Sequence, residues 1–271
     1  MSGEGTVTLI TGAGRGIGRE IAVRLGAAGH RIGLTSRTGS ELTETADLVT
    51  VAGGGAVVMA TGDVTRAADV DRVCRTVEDR FGPIEALVNN AGFLGDLDPF
   101  LNTDLETWWR VLEINLRGPA LFLRRVLPSM VERGGGYVIN INSKAAFTTD
   151  PRGAGSAYGV SKTALLRLSD VLTTELAGTG VIVIDLSPGM VRTTMTARRP
   201  DADRLPPESW TPVTAAAGHV EALLSGRYDA LNGHFVHVLD DLDDLVAHVT
   251  ADPGARTLQV TPAGPADPVM A

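Results

Sequence analysis

Short apolar runs rich in β-branched residues alternate with helix-length amphipathic stretches from the start of the chain to about residue 240. Such alternation marks a parallel sheet joined by crossover helices. The pattern predicts strands at 6–11, 31–35, 56–60, 84–89, 136–142, 181–187 and 234–238. Runs such as Val181-Ile182-Val183-Ile184 lack polar alternation, so helices are expected on both faces of the sheet. Helices are predicted at 17–28, 40–52, 67–81, 105–132 and 158–176. A further helix opens with Thr211 as N-cap and Pro212 as its first position, and stops near Gly226. The expected fold is α/β: a single doubly wound domain over 1–240 with a seven-stranded parallel sheet. Residues 193–207 carry clustered Arg, Asp and Pro without a period, which predicts an irregular excursion of the kind that often serves as a lid.

Beyond the last strand, Leu242, Leu245, Val246 and Val249 form one helical stripe. Asp240, Asp241, Asp243 and Asp244 precede or open it, where acids suit a helix N-terminus better than they suggest a metal site. Residues 241–271 are therefore expected to form a C-terminal extension packed on the same domain.

Composition narrows the partners. With 44% hydrophobic and 21% charged residues the chain has material for a core. Its net charge of −8 argues against nucleic acid or an anionic membrane as partner and points to a small molecule. The lone Cys74 excludes an internal disulfide or a CxxC metal site. MSGEGTVTLITGAG has neither a basic start nor a long apolar run, and no later run approaches ~18 apolar residues, so a cytoplasmic protein is expected.

The first predicted strand runs into Thr11-Gly12-Ala13-Gly14-Arg15-Gly16-Ile17-Gly18. Glycines between strand and helix let a pyrophosphate approach the backbone at a helix N-terminus. No lysine follows, which excludes a P-loop. Arg37 ends the second strand, where an acidic residue would bind the adenosine ribose of NAD. A guanidinium there, with Arg15 across the turn, suits a 2′-phosphate, although either arginine alone reads as a solvated surface residue. Tyr158 and Lys162 are four apart on a predicted helix and share a face. An ammonium beside the phenol would lower the tyrosine pKa and make it an acid or base. The alternative is an ordinary surface pair.

Taken in order, TGAGRGIG, Gly62-Asp63-Val64, Asn89-Asn90-Ala91-Gly92, Asn115, Ser143, Tyr158-Gly159-Val160-Ser161-Lys162 and Ser187-Pro188-Gly189-Met190-Val191-Arg192-Thr193 resemble the short-chain dehydrogenase/reductase family across residues 6–238. The resemblance implies a Rossmann-type domain using NADP(H). It implies Gly12, Gly16 and Gly18 at the pyrophosphate, Ile17 among the cofactor-binding residues, Asp63 and Val64 at adenine, and Asn90 supporting the cofactor side. Thr193 would meet the carboxamide, Arg15 and Arg37 the 2′-phosphate. Asn115, Ser143, Tyr158 and Lys162 would be the catalytic set, with Lys162 also bonding the nicotinamide ribose. Hydride transfer to a carbonyl, as in a biosynthetic ketoreductase, is the expected activity, by a homodimer or homotetramer. A non-catalytic NADP-binding regulator, or an epimerase or dehydratase on the same scaffold, are the alternatives. The substrate would be selected by residues 93–100, 145–155 and 193–210.

Overall fold

The computed structural model describes residues 5–149, 155–199 and 201–258. Its seven strands are β1 (Val7–Thr11), β2 (Arg31–Ser36), β3 (Val57–Thr61), β4 (Ala86–Asn89), β5 (Gly136–Ile141), β6 (Val181–Ser187) and β7 (Phe235–His237). They pair entirely in parallel in the order β3-β2-β1-β4-β5-β6-β7. The order reverses between β1 and β4, which leaves a crevice at their carboxyl ends where ligands of such sheets bind. This is the α/β, doubly wound, seven-stranded architecture the periodicity predicts.

Each central strand buries both faces. Ile10, Val88, Ile139 and Ile184 face a core completed by helices α1 (Gly16–Ala27), α2 (Gly39–Val51) and α7 (Val213–Leu223). Leu9, Leu87, Val138 and Val183 face a second core under α3 (Ala67–Phe81), α5 (Gly118–Glu132) and α6 (Ser156–Glu175). Cys74 belongs to that second core, and burial pushes its thiol up to about 12, so it packs rather than reacts.

The long helix expected over 105–132 is interrupted. It divides into α4 (Leu105–Leu112), a π-helical turn over Glu113–Arg117, and α5. Pro119 lacks the N–H that would bond the Asn115 carbonyl in an α-helix, and the wider turn absorbs the loss. Two helix starts also differ. Helix α6 begins at Ser156, two residues before Tyr158, and Pro212 is the N-cap of α7 rather than its first position.

Residues 241–258 close on the body of the protein. Asp241 caps α8 (Leu242–Ala251), accepting from the main-chain N of Asp243 at 3.0 Å and of Asp244 at 3.1 Å. Leu242, Leu245 and Val249 join the α1/α7 core. Past α8, the Phe235 N–H of edge strand β7 donates to Arg256 O at 2.9 Å. The remainder of the extension, 259–271, lies outside the described residues. Leu245→Ala should lower stability by about 2–4 kcal/mol, read as a lower midpoint in denaturant; a change under 1 kcal/mol would mean that α8 is not part of the cooperative core.

Candidate active site

Two polar side chains, Thr11 and Asn90, tie β1 to β4 and shape the glycine turn between them. Asn90 donates through Nδ2 to Thr11 O at 2.9 Å and Gly12 O at 3.1 Å, while its own N–H donates to Thr11 Oγ1 at 3.0 Å. The turn needs its glycines for different reasons. Gly12 and Gly16 have positive φ, +62° and +57°. A Cβ on Gly18 would lie 2.4 Å from Asn90 Nδ2 and 2.5 Å from Gly12 O. No side chain caps α1 at Arg15, which leaves first-turn amides for an anion.

A cavity of about 450 Å³ opens over this turn. Gly12, Arg15, Gly16, Ile17, Arg37, Asp63, Val64, Asn90, Tyr158, Lys162 and Thr193 all line it, although they come from six segments of the chain. Gly18 does not line it; its absent side chain makes room for Asn90. Asn115 is also set back. It is fully buried in the π turn, where Oδ1 accepts from Phe93 N at 2.8 Å, and Nδ2 donates to Phe93 O at 2.9 Å and Ser161 Oγ at 3.0 Å.

Charged partners not visible in the sequence pattern lie around Arg15 and Asp63. Glu41 lines the cavity and holds Arg15 at 2.6 Å. Burial alone would raise the Asp63 carboxyl, but bonds from Thr65 and Arg110 outweigh it and hold the group below the usual carboxylate range. These partners lie 26 and 47 residues away from Arg15 and Asp63, beyond any local pattern.

A second cavity, about 1550 Å³, adjoins the first, and Leu94, Tyr158 and Met195 line both. Ser143 lines the second, and its hydroxyl hydrogen bonds Tyr158. Segments 93–100, 145–155 and 193–210 all contribute walls, apart from 150–154 and 200, which lie outside the described residues. Val160, His237, Leu239 and Leu258 were not expected there; the last brings the C-terminal extension to the cavity rim. Lys144 is exposed at this wall.

The tyrosine is not tuned as its spacing to Lys162 suggested. Burial raises the Tyr158 phenol and the Ser143 bond partly offsets it. The Lys162 ammonium lies 5.8 Å from the Tyr158 ring centroid and donates to Ile141 O at 2.7 Å. Burial pushes Lys162 down to about 8, opposed by Asp185. The excursion after β6 also has more structure than its composition implied. Thr193 Cγ2 would be 3.3 Å from a Cβ on Gly16, Arg198 stacks on Phe93 at 5.7 Å, Arg192 covers Trp210 at 4.3 Å, and Ala202 is buried.

The short chain dehydrogenase family matches residues 6–204. A short chain dehydrogenase of Pseudocercospora fijiensis is 32% identical over 93% of this chain and 86% of its own. The 3-oxoacyl-[acyl-carrier-protein] reductase of Synechocystis is 34% identical over 70% of this chain and 76% of its own. Among solved structures, levodione reductase superposes with a TM-score of 0.81 at 28% identity, over 89% of this chain and 98% of that one. A variant of actinorhodin polyketide ketoreductase, crystallised with NADPH, gives 0.80 at 30% identity, over 86% and 95%. The chain belongs to the short-chain dehydrogenases, nicotinamide-dependent oxidoreductases that act on alcohol and ketone groups of small molecules.

Gly18→Ala should displace Asn90 or the Gly12 carbonyl and so disturb the turn at a distance from any ligand. The expected result is at least tenfold weaker binding of NADPH in a fluorescence titration, together with a lower melting temperature.

Proposed function

We propose that the chain is an NADPH-dependent carbonyl reductase, a soluble cytoplasmic ketoreductase of a biosynthetic pathway. The observation that carries this reading is the position of Tyr158, which borders both cavities while hydrogen bonded to Ser143 on the larger one. The strand, glycine turn and uncapped helix fit a dinucleotide. Gly12, Gly16 and Ile17 would line the pyrophosphate, Asp63 and Val64 adenine, and Thr193 the carboxamide; Asn90 supports the turn from behind. When bound, the nicotinamide supplies or takes up the hydride.

The chain's own groups handle the proton and the charge. Tyr158 gives its phenolic proton to the substrate oxygen as that oxygen becomes an alkoxide, and takes it back in the reverse direction. A phenol kept protonated by burial suits the donor role. Ser143 donates to the same oxygen and stabilises its developing charge. Lys162 would bond the ribose of the bound cofactor. Asn115 would act at one remove, through the π turn and the Phe93 main chain it holds, steadying a water path that returns the proton. The larger cavity, with Leu97, Phe100, Phe147 and Leu239 on its walls, favours a bulky, largely apolar carbonyl compound.

Tyr158→Phe should bind NADPH as the wild type does and lose at least about a hundredfold in kcat on a ketone panel followed at the NADPH absorbance. Turnover at wild-type level would remove Tyr158 from the chemistry.

Cofactor choice is expected to rest on Arg15 and Arg37. Arg15 would exchange part of its pairing with Glu41 for the 2′-phosphate, and Arg37 is exposed beside it. NADPH should bind at least about tenfold tighter than NADH, a difference of ~1.4 kcal/mol. Arg37→Ala should abolish most of that preference. Equal affinities in the wild type would make both arginines surface residues.

A homodimer or homotetramer is expected as well. Leu105 and Trp109 on α4 and Val160 and Val171 on α6 are exposed apolar residues on the helices expected to pair. Light scattering at micromolar concentration tests this; a monomer would refute it.

A further inference from the structure

Beneath Ser143 and Lys162 runs a buried polar chain that the chemistry above does not use. Asp185 lies in β6, flanked by Ile184 and Leu186 and paired in register with Asn140 of β5. It is 2% exposed. A carboxylate so placed is costly unless its lone pairs are satisfied. Asn142 Nδ2 donates to Asp185 Oδ1 at 2.6 Å, and the Ser169 hydroxyl is a second partner. Asn142 is itself buried, and its Oδ1 accepts from the main-chain N of Ser143 at 2.8 Å.

The direction of this chain matters. Burial pushes Asp185 up to about 7; once ionised, the carboxylate only accepts, so it fixes which end of the Asn142 amide faces it and turns the carbonyl end towards Ser143. On the same strand end, Lys162 donates to the carbonyl of Ile141, the residue preceding Asn142. Two charged groups act on Asp185, both from α6: Lys162 favours its ionised form and Asp170 opposes it. From β5 the neutral amide of Asn142 meets it, and from β7 its register partner is Phe235. Asp185 is in turn the group that favours the Lys162 ammonium.

We propose that Asp185 is a positioning residue for the active site, fixing the Ser143 main chain through Asn142 and acting as the buried counter-charge of Lys162. The proposal rests on the reading of Ser143, Tyr158 and Lys162 as the site. It explains why a carboxylate stands in an otherwise apolar strand, directly behind the one buried lysine among the described residues.

The chain contains two lysines, Lys144 and Lys162. Protein labelled with 13C at lysine Cε therefore shows two lysine signals, and Lys144→Arg assigns them. In the wild type Lys162 should titrate at about 8. Asp185→Asn keeps an acceptor for Asn142 and removes the charge, so the Lys162 midpoint should move down by about one pH unit while the fold, read by thermal unfolding, is retained. Asn142→Ala keeps the carboxylate and cuts the link to Ser143. It should lower kcat about tenfold for a ketone the wild type reduces, with KM for NADPH unchanged. An unmoved Lys162 midpoint in Asp185→Asn, or wild-type kcat in Asn142→Ala, would overturn the proposal. If Asp185→Asn fails to fold, the two readouts on Asn142→Ala decide it. A wild type that reduces no carbonyl compound would defeat the functional reading, while the Lys162 titration would still decide the role of Asp185.

Discussion

The pairing of β1 with β4 is the constraint on which the site depends. Parallel strands that connect in opposite directions along the sheet leave their carboxyl ends without a covering crossover, and the crevice between them is open to a ligand. Here Asn90 makes that crevice specific. By bonding the carbonyls of Thr11 and Gly12, it fixes the end of one strand with the side chain that follows the other. The glycine at 18 is needed because that amide occupies the space a side chain would take. The lining of the cavity and the sheet topology are thus joined through one half-buried amide.

The second half of the site is built on the neighbouring strand ends. Strand β5 delivers Ser143, α6 returns Tyr158 and Lys162 over it, and β6 supplies Asp185 below. Charged and amide groups are concentrated here: Asn89, Asn140, Asn142, Ser169, Lys162 and Asp185 are all buried, in a sheet whose other inward positions are mostly aliphatic. Asn89 donates to Asn140 at 2.9 Å and Asn140 to Ser169 at 3.0 Å, which carries the hydrogen bonding from β4 across to α6. Buried polar groups are tolerated only when paired, so such a network also restricts the register of three strands. Burial moves the pKa values of Lys162 and Asp185 towards one another, to about 8 and about 7.

Much of this was legible in the sequence. The period of the apolar residues specifies helices and strands because each must bury one stripe or both faces, and seven strands in alternation with helices leave few parallel arrangements. The glycine turn and the Tyr158–Lys162 spacing are local patterns, visible because their members lie within one turn of chain. The sequence also showed arginines at 15 and 37, on two elements that a dinucleotide fold brings together.

Tertiary structure decided the rest, because it depends on partners far apart in the chain. Glu41 on Arg15, Arg110 on Asp63 and Asp185 behind Lys162 are separated by 26, 47 and 23 residues, and no periodicity records them. The split of the 105–132 helix follows from Pro119 locally, but what the π turn achieves, the burial of Asn115 against Phe93 and Ser161, exists only in the packed protein. The tyrosine shows the distinction most directly. Sequence spacing places an ammonium one turn away, whereas burial and a hydroxyl from the segment after β5 set the proton affinity of Tyr158, since desolvation is a property of the assembled cavity and not of the chain.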